Sequence, residues 1–216
     1  MHNRFMKLKL FFALLLGLAT FNVQADDKSK SLLDAMTAKL ASYTSYKIDV
    51  SLDMNGEFSG YEGSMTISGE NYYIYTEDMK VFSDGKTKYT LLDSEDEVMI
   101  ENVDPADADI LSNPARFFAR DYSGFDHRYL RSVTIGGRIA EAVEMKPLNS
   151  AMGIMSFLLY IDPVTSLPVR IDTSIQSIGA SVVLNITKFT PNVPVTPSMF
   201  IFDKSKHPGV EIIDFR

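Results

Sequence analysis

One helical interruption in an otherwise strand-like chain does most to limit the fold. Both sides of Asp104–Tyr122 (DPADADILSNPARFFARDY) read as β-strand, and this stretch reads as two short helices. Asp104 suits a helix N-cap and Pro105 the first helical position, with Ile110 and Leu111 giving a small apolar edge. Asn113-Pro114 repeats the start signal, and Ala115, Phe117, Phe118 and Tyr122 follow. Phe118 and Tyr122 stand four apart, on one face of a helix. Isolated helices shorter than roughly 12–15 residues are marginal in water, so these two must lie on something apolar. They read as a lid over a sheet, the alternative being a connection packed permanently on the core.

The flanking segments supply the sheet. Ser31–Ser42 first predicts an amphipathic helix, with Leu33, Met36 and Leu40 in a stripe and Ser31 and Asp34 as a capping pair. From Tyr46 the period changes to two. Tyr46, Ile48, Val50, Leu52 and Met54 alternate with Lys47, Asp49, Ser51 and Asp53, a strand with one dry and one wet face. Further strands are expected at 57–68, 72–75, 81–82, 88–92 and 98–103. After the helical stretch they resume at 129–135, 139–145, 156–161, 167–175, 181–189, 199–202 and 210–215. Asp84-Gly85 and Gly136-Gly137 are hairpin signals, and Pro168 suits a strand start or an edge. Short strands on tight turns predict an antiparallel sheet, curved or closed to hide its edges.

The first 25 residues stand apart from this pattern. Arg4, Lys7 and Lys9 precede an apolar run from Leu10 to Phe21, and Val23-Gln24-Ala25 suits cleavage before Asp26. That is a secretory signal peptide, too short to favour a membrane span. Its removal leaves residues 26–216 as one domain and takes the formal charge from −7 to −10, since the segment carries three basic residues. Such a balance argues against nucleic acid and against anionic membrane surfaces. With Cys 0 there is no disulfide and no thiol for lipid attachment, so the mature chain is expected to be soluble and held by its core.

Catalytic signals are poor. No G-x-S-x-G elbow is present, and the histidines after the signal segment, His127 and His207, lie in separate polar segments. Asp93–Glu97 and the trio Asp104, Asp107 and Asp109 match no calcium-loop spacing and suit a solvated turn and a helix start. Neither a metal nor a cofactor is expected, and the chain reads as a binding protein. The inside of a curved sheet is a natural apolar ligand site.

The C-terminal run sharpens this expectation. Asn185-Ile-Thr-Lys-Phe-Thr-Pro-Asn-Val-Pro194, then Phe200-Ile-Phe-Asp203, then His207-Pro-Gly-Val-Glu-Ile-Ile-Asp-Phe-Arg216, resembles the end of the periplasmic outer-membrane lipoprotein carrier family, LolA. Ser83-Asp84-Gly85-Lys86 is similar to that family's central hairpin, Asn113-Pro114 with its aromatics to its mid-chain helix, and Gly63 is placed before a strand. The resemblance covers essentially the whole mature chain. It implies a mainly β (α+β) fold: an unclosed antiparallel β-barrel with an N-terminal helix and a short helical lid over a hydrophobic cavity. It also implies a periplasmic, monomeric carrier that takes outer-membrane lipoproteins by their acyl chains from an inner-membrane ABC transporter complex to an outer-membrane receptor, with no chemical step.

At roughly 0.8 kcal/mol per CH₂, two or three long acyl chains cost on the order of 20–40 kcal/mol to leave in water, so a soluble courier must shield them. The residues expected to line the cavity are Ile110, Leu111, Phe117 and Phe118 on the lid, with Met65, Ile67, Tyr73, Tyr75, Leu91, Met99, Leu158 and Tyr160 on the sheet. One departure stands out. Many members latch the lid with an arginine that would fall near Gly69, whereas here no arginine of the mature chain precedes Arg116. Either Arg116 or Arg120 latches it from the lid side, or the carrier rests more open. The rivals are a lipid- or lipopeptide-sensing module on the same fold and a secreted hydrolase, the latter requiring acyl-ester turnover that one carboxylate or serine mutation removes.

Overall fold

A computed structural model of the chain describes residues 20–54, 58–93, 96–104, 110, 112–119, 122–148, 154–175 and 180–216. Helix α1 (Thr20–Ala41) leads into strands β1 (Tyr46–Met54), β2 (Phe58–Ser68), β3 (Asn71–Thr76), β4 (Met79–Ser83), β5 (Thr87–Leu92) and β6 (Glu97–Asn102). Helix α2 (Pro114–Ala119) separates these from β7 (Phe125–Ile135), β8 (Arg138–Pro147), β9 (Ile154–Ile161), β10 (Pro168–Ile175), β11 (Ala180–Pro191) and β12 (Glu211–Asp214).

All twelve strands join in one sheet, ordered β12-β6-β5-β4-β3-β2-β1-β11-β10-β9-β8-β7. It ends at β12 and β7 without closing. The pairings are antiparallel except that β12 runs parallel to β6, a departure from the hairpin-only expectation. The order explains the mid-chain interruption. The chain leaves β6 near one edge and resumes as β7 at the other, so the segment between them has to cross the sheet. It crosses on the face that carries the main core, called the inner face below.

Alternation carries through to burial. On β1, Tyr46, Ile48 and Val50 are buried while Lys47 and Asp49 are half-buried. Leu33, Met36 and Leu40 of α1 join the same core, with relative exposures of 3%, 0% and 3%. Gly136 and Gly137 turn β7 into β8 with φ of 55° and 80°, backbone that a side chain disfavours.

Several expectations are corrected. Helix α1 begins at Thr20, well before the expected start at Ser31. Gly63 lies inside β2 rather than ahead of a strand. Pro168 opens β10, which lies between β9 and β11, so it marks a strand start and not an edge. The 199–202 segment is not a strand: Pro197–Phe200 forms a 3₁₀ turn, since Pro197 suits its first position. The first of the two mid-chain helices falls on 105–109 and 111, outside the described residues. The second ends at Ala119, and Tyr122 adopts φ 57°, so Phe118 and Tyr122 do not share a helical face.

Candidate functional site

The inner face holds a plug and a cavity. The plug is α2. Its start is made by Asn113, whose Oδ1 accepts from the Arg116 N–H at 3.2 Å and whose carbonyl accepts from Phe117 N–H at 3.0 Å, with Pro114 at the first helical position. Six residues long, the helix has little stability of its own and depends on what it covers. Phe117 and Phe118 are each 1% exposed. The Phe117 ring lies 5.3 Å from Phe157 of β9, and Phe118 meets Tyr46 of β1 edge-on at 6.4 Å. Burial pushes the Tyr46 phenol well above the usual tyrosine range, which keeps it neutral against Phe118.

Two polar contacts tie this plug to the β2–β3 hairpin. The Tyr72 hydroxyl donates to the Ser112 carbonyl at 2.9 Å, and Tyr72 is 1% exposed. Arg116 Nη2 stands 3.8 Å from Glu70 Oε1, beside Gly69. Its partners are 42% and 75% exposed, so that pair contributes little. The buried tie therefore comes from a tyrosine of the sheet, which the sequence reading did not single out. Arg120 lies outside the described residues.

The cavity opens further along the same strands. It measures about 420 Å³ and is walled by Val50, Leu52 and Met54 of β1, Tyr61, Gly63, Ser64 and Met65 of β2, Ile74 and Thr76 of β3, Asp78, Met79 of β4 and Leu184 of β11. Its floor is dry, with Val50, Met65 and Ile74 at 4%, 4% and 5% exposure, while Asp78 is exposed at the other end. Gly63 leaves room in the wall: a Cβ there would come within 3.2 Å of the Thr76 methyl and of the Tyr75 carbonyl. At the rim the Tyr61 hydroxyl donates to Asp78 Oδ2 at 2.9 Å and lies 3.0 Å from Thr76 Oγ1.

The expected lining residues divide by face. Met65 lines the cavity, and Ile67 lies buried on the inner face against a smaller cleft shared with Ala115 and Phe118. Ile110, Phe117 and Phe118 are inside the main core, not on the cavity wall. Met99 pairs with Thr90, itself paired with Val81, which places it half-buried on the inner face. Leu111 lies outside the described residues. The other five are corrected to the outer face. Tyr73 and Tyr75 pair with Phe82 and Lys80, while Tyr72, Ile74 and Thr76 point inward. Leu91 pairs with Lys80 in the same outer row. Leu158 and Tyr160 belong to a separate outer cluster with Ala140 and Ala142, while Phe157, Leu159 and Ile161 face the core.

The outer face misled the pattern because it is apolar too. Phe202 of the C-terminal segment stacks on Tyr89 at 6.0 Å and on His207 at 5.1 Å, and meets Phe82 at 6.0 Å. Tyr73 lies 5.0 Å from Phe82. A strand with apolar residues on both faces carries no phase signal.

Helix α1 is fastened at the far edge. Lys28 Nζ stands 3.2 Å from Glu141 Oε2 and 3.8 Å from the Tyr129 ring centre, and Ser132 donates to Glu141 at 2.8 Å. The buried Ser29 hydroxyl lies 2.8 Å from His127 Nδ1. Burial opposes the Glu141 charge, but the hydrogen bonds from Ser132, Tyr129 and Lys28 outweigh it and hold the carboxyl below its ordinary value. Among the described residues no three His, Asp or Glu side chains gather to hold a metal ion.

Residues 18–174 match the family described as outer membrane lipoprotein carrier protein LolA. A search of curated proteins finds no sequence match. Among solved structures, an uncharacterized conserved protein from Thermus thermophilus superposes with a TM-score of 0.57 at 10% identity, covering 87% of this chain and 99% of that one. A putative outer membrane lipoprotein-sorting protein domain from Vibrio parahaemolyticus gives 0.48 at 9% identity, covering 84% and 98%. The Mycobacterium tuberculosis lipoprotein LppX gives 0.48 at 12% identity, covering 80% and 100%. The first of these likenesses supports the fold and nothing finer.

Proposed function

Because this chain belongs to the family of the outer membrane lipoprotein carrier protein LolA, we propose that it is a periplasmic carrier that shields the acyl chains of lipoproteins on their way from the inner to the outer membrane. The observation that carries this reading is the apolar cavity of about 420 Å³ on the inner face of an unclosed sheet. An acyl chain makes no directional demands, so a dry wall of Val50, Leu52, Met54, Met65, Ile74, Met79 and Leu184 suits it, and the methionines adapt to its bends. At about 0.8 kcal/mol per CH₂, such burial offsets the cost of carrying a long chain through water.

The short plug supplies the second requirement, release. Helix α2 seals the inner face with two phenylalanines, yet it has only six residues, tied by hydrogen bonds such as those from Tyr72 to Ser112 and from Tyr122 to Phe117. Local opening of such an element costs less than global unfolding. Displacing Phe117 and Phe118 would join the cavity to the space they fill and make room for further chains. In this reading the signal segment is cleaved after Ala25, the mature chain acts without cofactor or chemical step, an inner-membrane ABC transporter complex loads it and an outer-membrane receptor unloads it.

The test is release. Mature protein is incubated with spheroplasts holding newly made outer-membrane lipoproteins, and the supernatant is examined for a one-to-one complex. Release is expected, and Leu52→Trp, which places an indole in the cavity, is expected to reduce it at least tenfold with the fold retained. Acyl lipid bound to the purified protein without release would instead identify a sensing module on the same fold. Neither release nor bound lipid would overturn the carrier reading.

A further inference from the structure

The rim of the cavity is chemically one-sided. Asp78 is a carboxylate and offers acceptor atoms only. The Tyr61 proton is engaged by Asp78 Oδ2 at 2.9 Å or Thr76 Oγ1 at 3.0 Å, which leaves the phenol oxygen as an acceptor. Thr76 Oγ1 already accepts from the Met79 N–H at 3.1 Å and lies 3.3 Å from the Met79 carbonyl, to which it donates. Ser64 is on the wall, but it pairs with Asp49 and Tyr75, so its side chain belongs to the outer row. Lys80 lies in the outer row too, 2.5 Å from Asp93. No lysine or arginine lines the cavity among the described residues.

We infer that the cavity takes an acyl chain whose polar end donates a hydrogen bond at Asp78, an amide-linked chain in preference to an ester-linked chain or a free fatty acid. This rests on the acyl-carrier reading and narrows it. An amide N–H is a donor that Asp78 or the Tyr61 oxygen accepts once the chain lies between Leu52, Met65, Ile74 and Leu184. An ester brings only acceptors to a rim of acceptors and gains no hydrogen bond from it. A fatty-acid carboxylate adds a second negative charge beside Asp78, which charge repulsion disfavours. On a cargo bearing chains of both kinds, the amide-linked chain is the one whose polar end sits at this rim.

The experiment is a competition on the mature chain. The neutral fluorophore N-phenyl-1-naphthylamine is displaced in turn by N-hexadecanoyl-glycinamide, methyl hexadecanoate and hexadecanoate. The amide is expected to bind at least tenfold tighter than the ester or the acid. Asp78→Asn, which turns an acceptor-only group into one that also donates, is expected to bring that ratio below threefold with the melting temperature unchanged. Three ligands of equal affinity, or a ratio that Asp78→Asn leaves intact, would each overturn this inference while acyl binding stands. No binding by any of them would overturn the acyl-carrier reading with it.

Discussion

The Tyr72 hydroxyl donates to the Ser112 carbonyl at 2.9 Å, joining the middle of the sheet to the segment that leads into the plug helix. Tyr72 is 1% exposed, so the bond is shielded from water and from competition by it. It does from the sheet side what the Arg116–Glu70 pair, at 3.8 Å and largely solvated, does weakly from the plug side. Tyr72→Phe keeps the ring and removes the hydrogen bond it donates to Ser112. The expected cost is about 1–2 kcal/mol. Hydrogen exchange should rise at 112–119 more than in β1 or β11; equal increases everywhere would show that Tyr72 supports the fold and not the plug.

Phe117 and Tyr75 test the assignment of faces. Phe117→Ala leaves a void against Phe118 and Phe157 and is expected to cost about 3–5 kcal/mol in urea unfolding. Tyr75 is 46% exposed on the outer face, so Tyr75→Ala is expected to change stability by less than about 0.5 kcal/mol and acyl binding not at all. Loss of binding in Tyr75→Ala would reverse the phase assigned to β3.

Glu141 makes the fastening of α1 dependent on acid. Its folded-state pKa is lowered below the ordinary 4.5 by the hydrogen bonds that outweigh its burial. Its contribution is therefore present above 4.5 and is lost as pH falls through the depressed folded value. Glu141→Gln is expected to cost about 1 kcal/mol at neutral pH. The gap between the melting temperatures of the two proteins should close as pH drops below 4.5; a constant gap would show that the carboxylate charge contributes nothing.

Phe202 holds the C-terminal segment on the outer face between Phe82, Tyr89 and His207. Phe202→Ala is expected to cost about 2 kcal/mol, less than a fully buried phenylalanine because the side chain is half-buried. Exchange should rise in 200–216 and along β6, where β12 pairs. Unchanged exchange on β6 would mean that β12 stays in place without this anchor.

The sequence by itself determined the local events. The 3.6-residue stripe of α1, the two-residue alternation of β1, the Asp-Gly and Gly-Gly turns and the Asn113-Pro114 start are set by neighbouring residues, and each recurs in the structure. The absence of thiols was likewise plain, and the weak motifs along the chain pointed to the family, whose match spans residues 18–174. What only the tertiary structure decided is which side of each strand faces inward and what meets across the sheet. Tyr72-Tyr73-Ile74-Tyr75 is apolar in both phases, and the assignment of Tyr72 and Ile74 to the inside follows from pairing with Gly63–Ser68 and from Phe202 covering the other face. Leu158 and Tyr160 read as core for the same reason and instead lie against Ala140 and Ala142. The parallel seat of β12, the Tyr72–Ser112 bond and the Tyr61–Asp78 rim join residues distant in the chain. A one-dimensional pattern records the period of burial but not its phase, because phase is set by partners that only the folded sheet brings together.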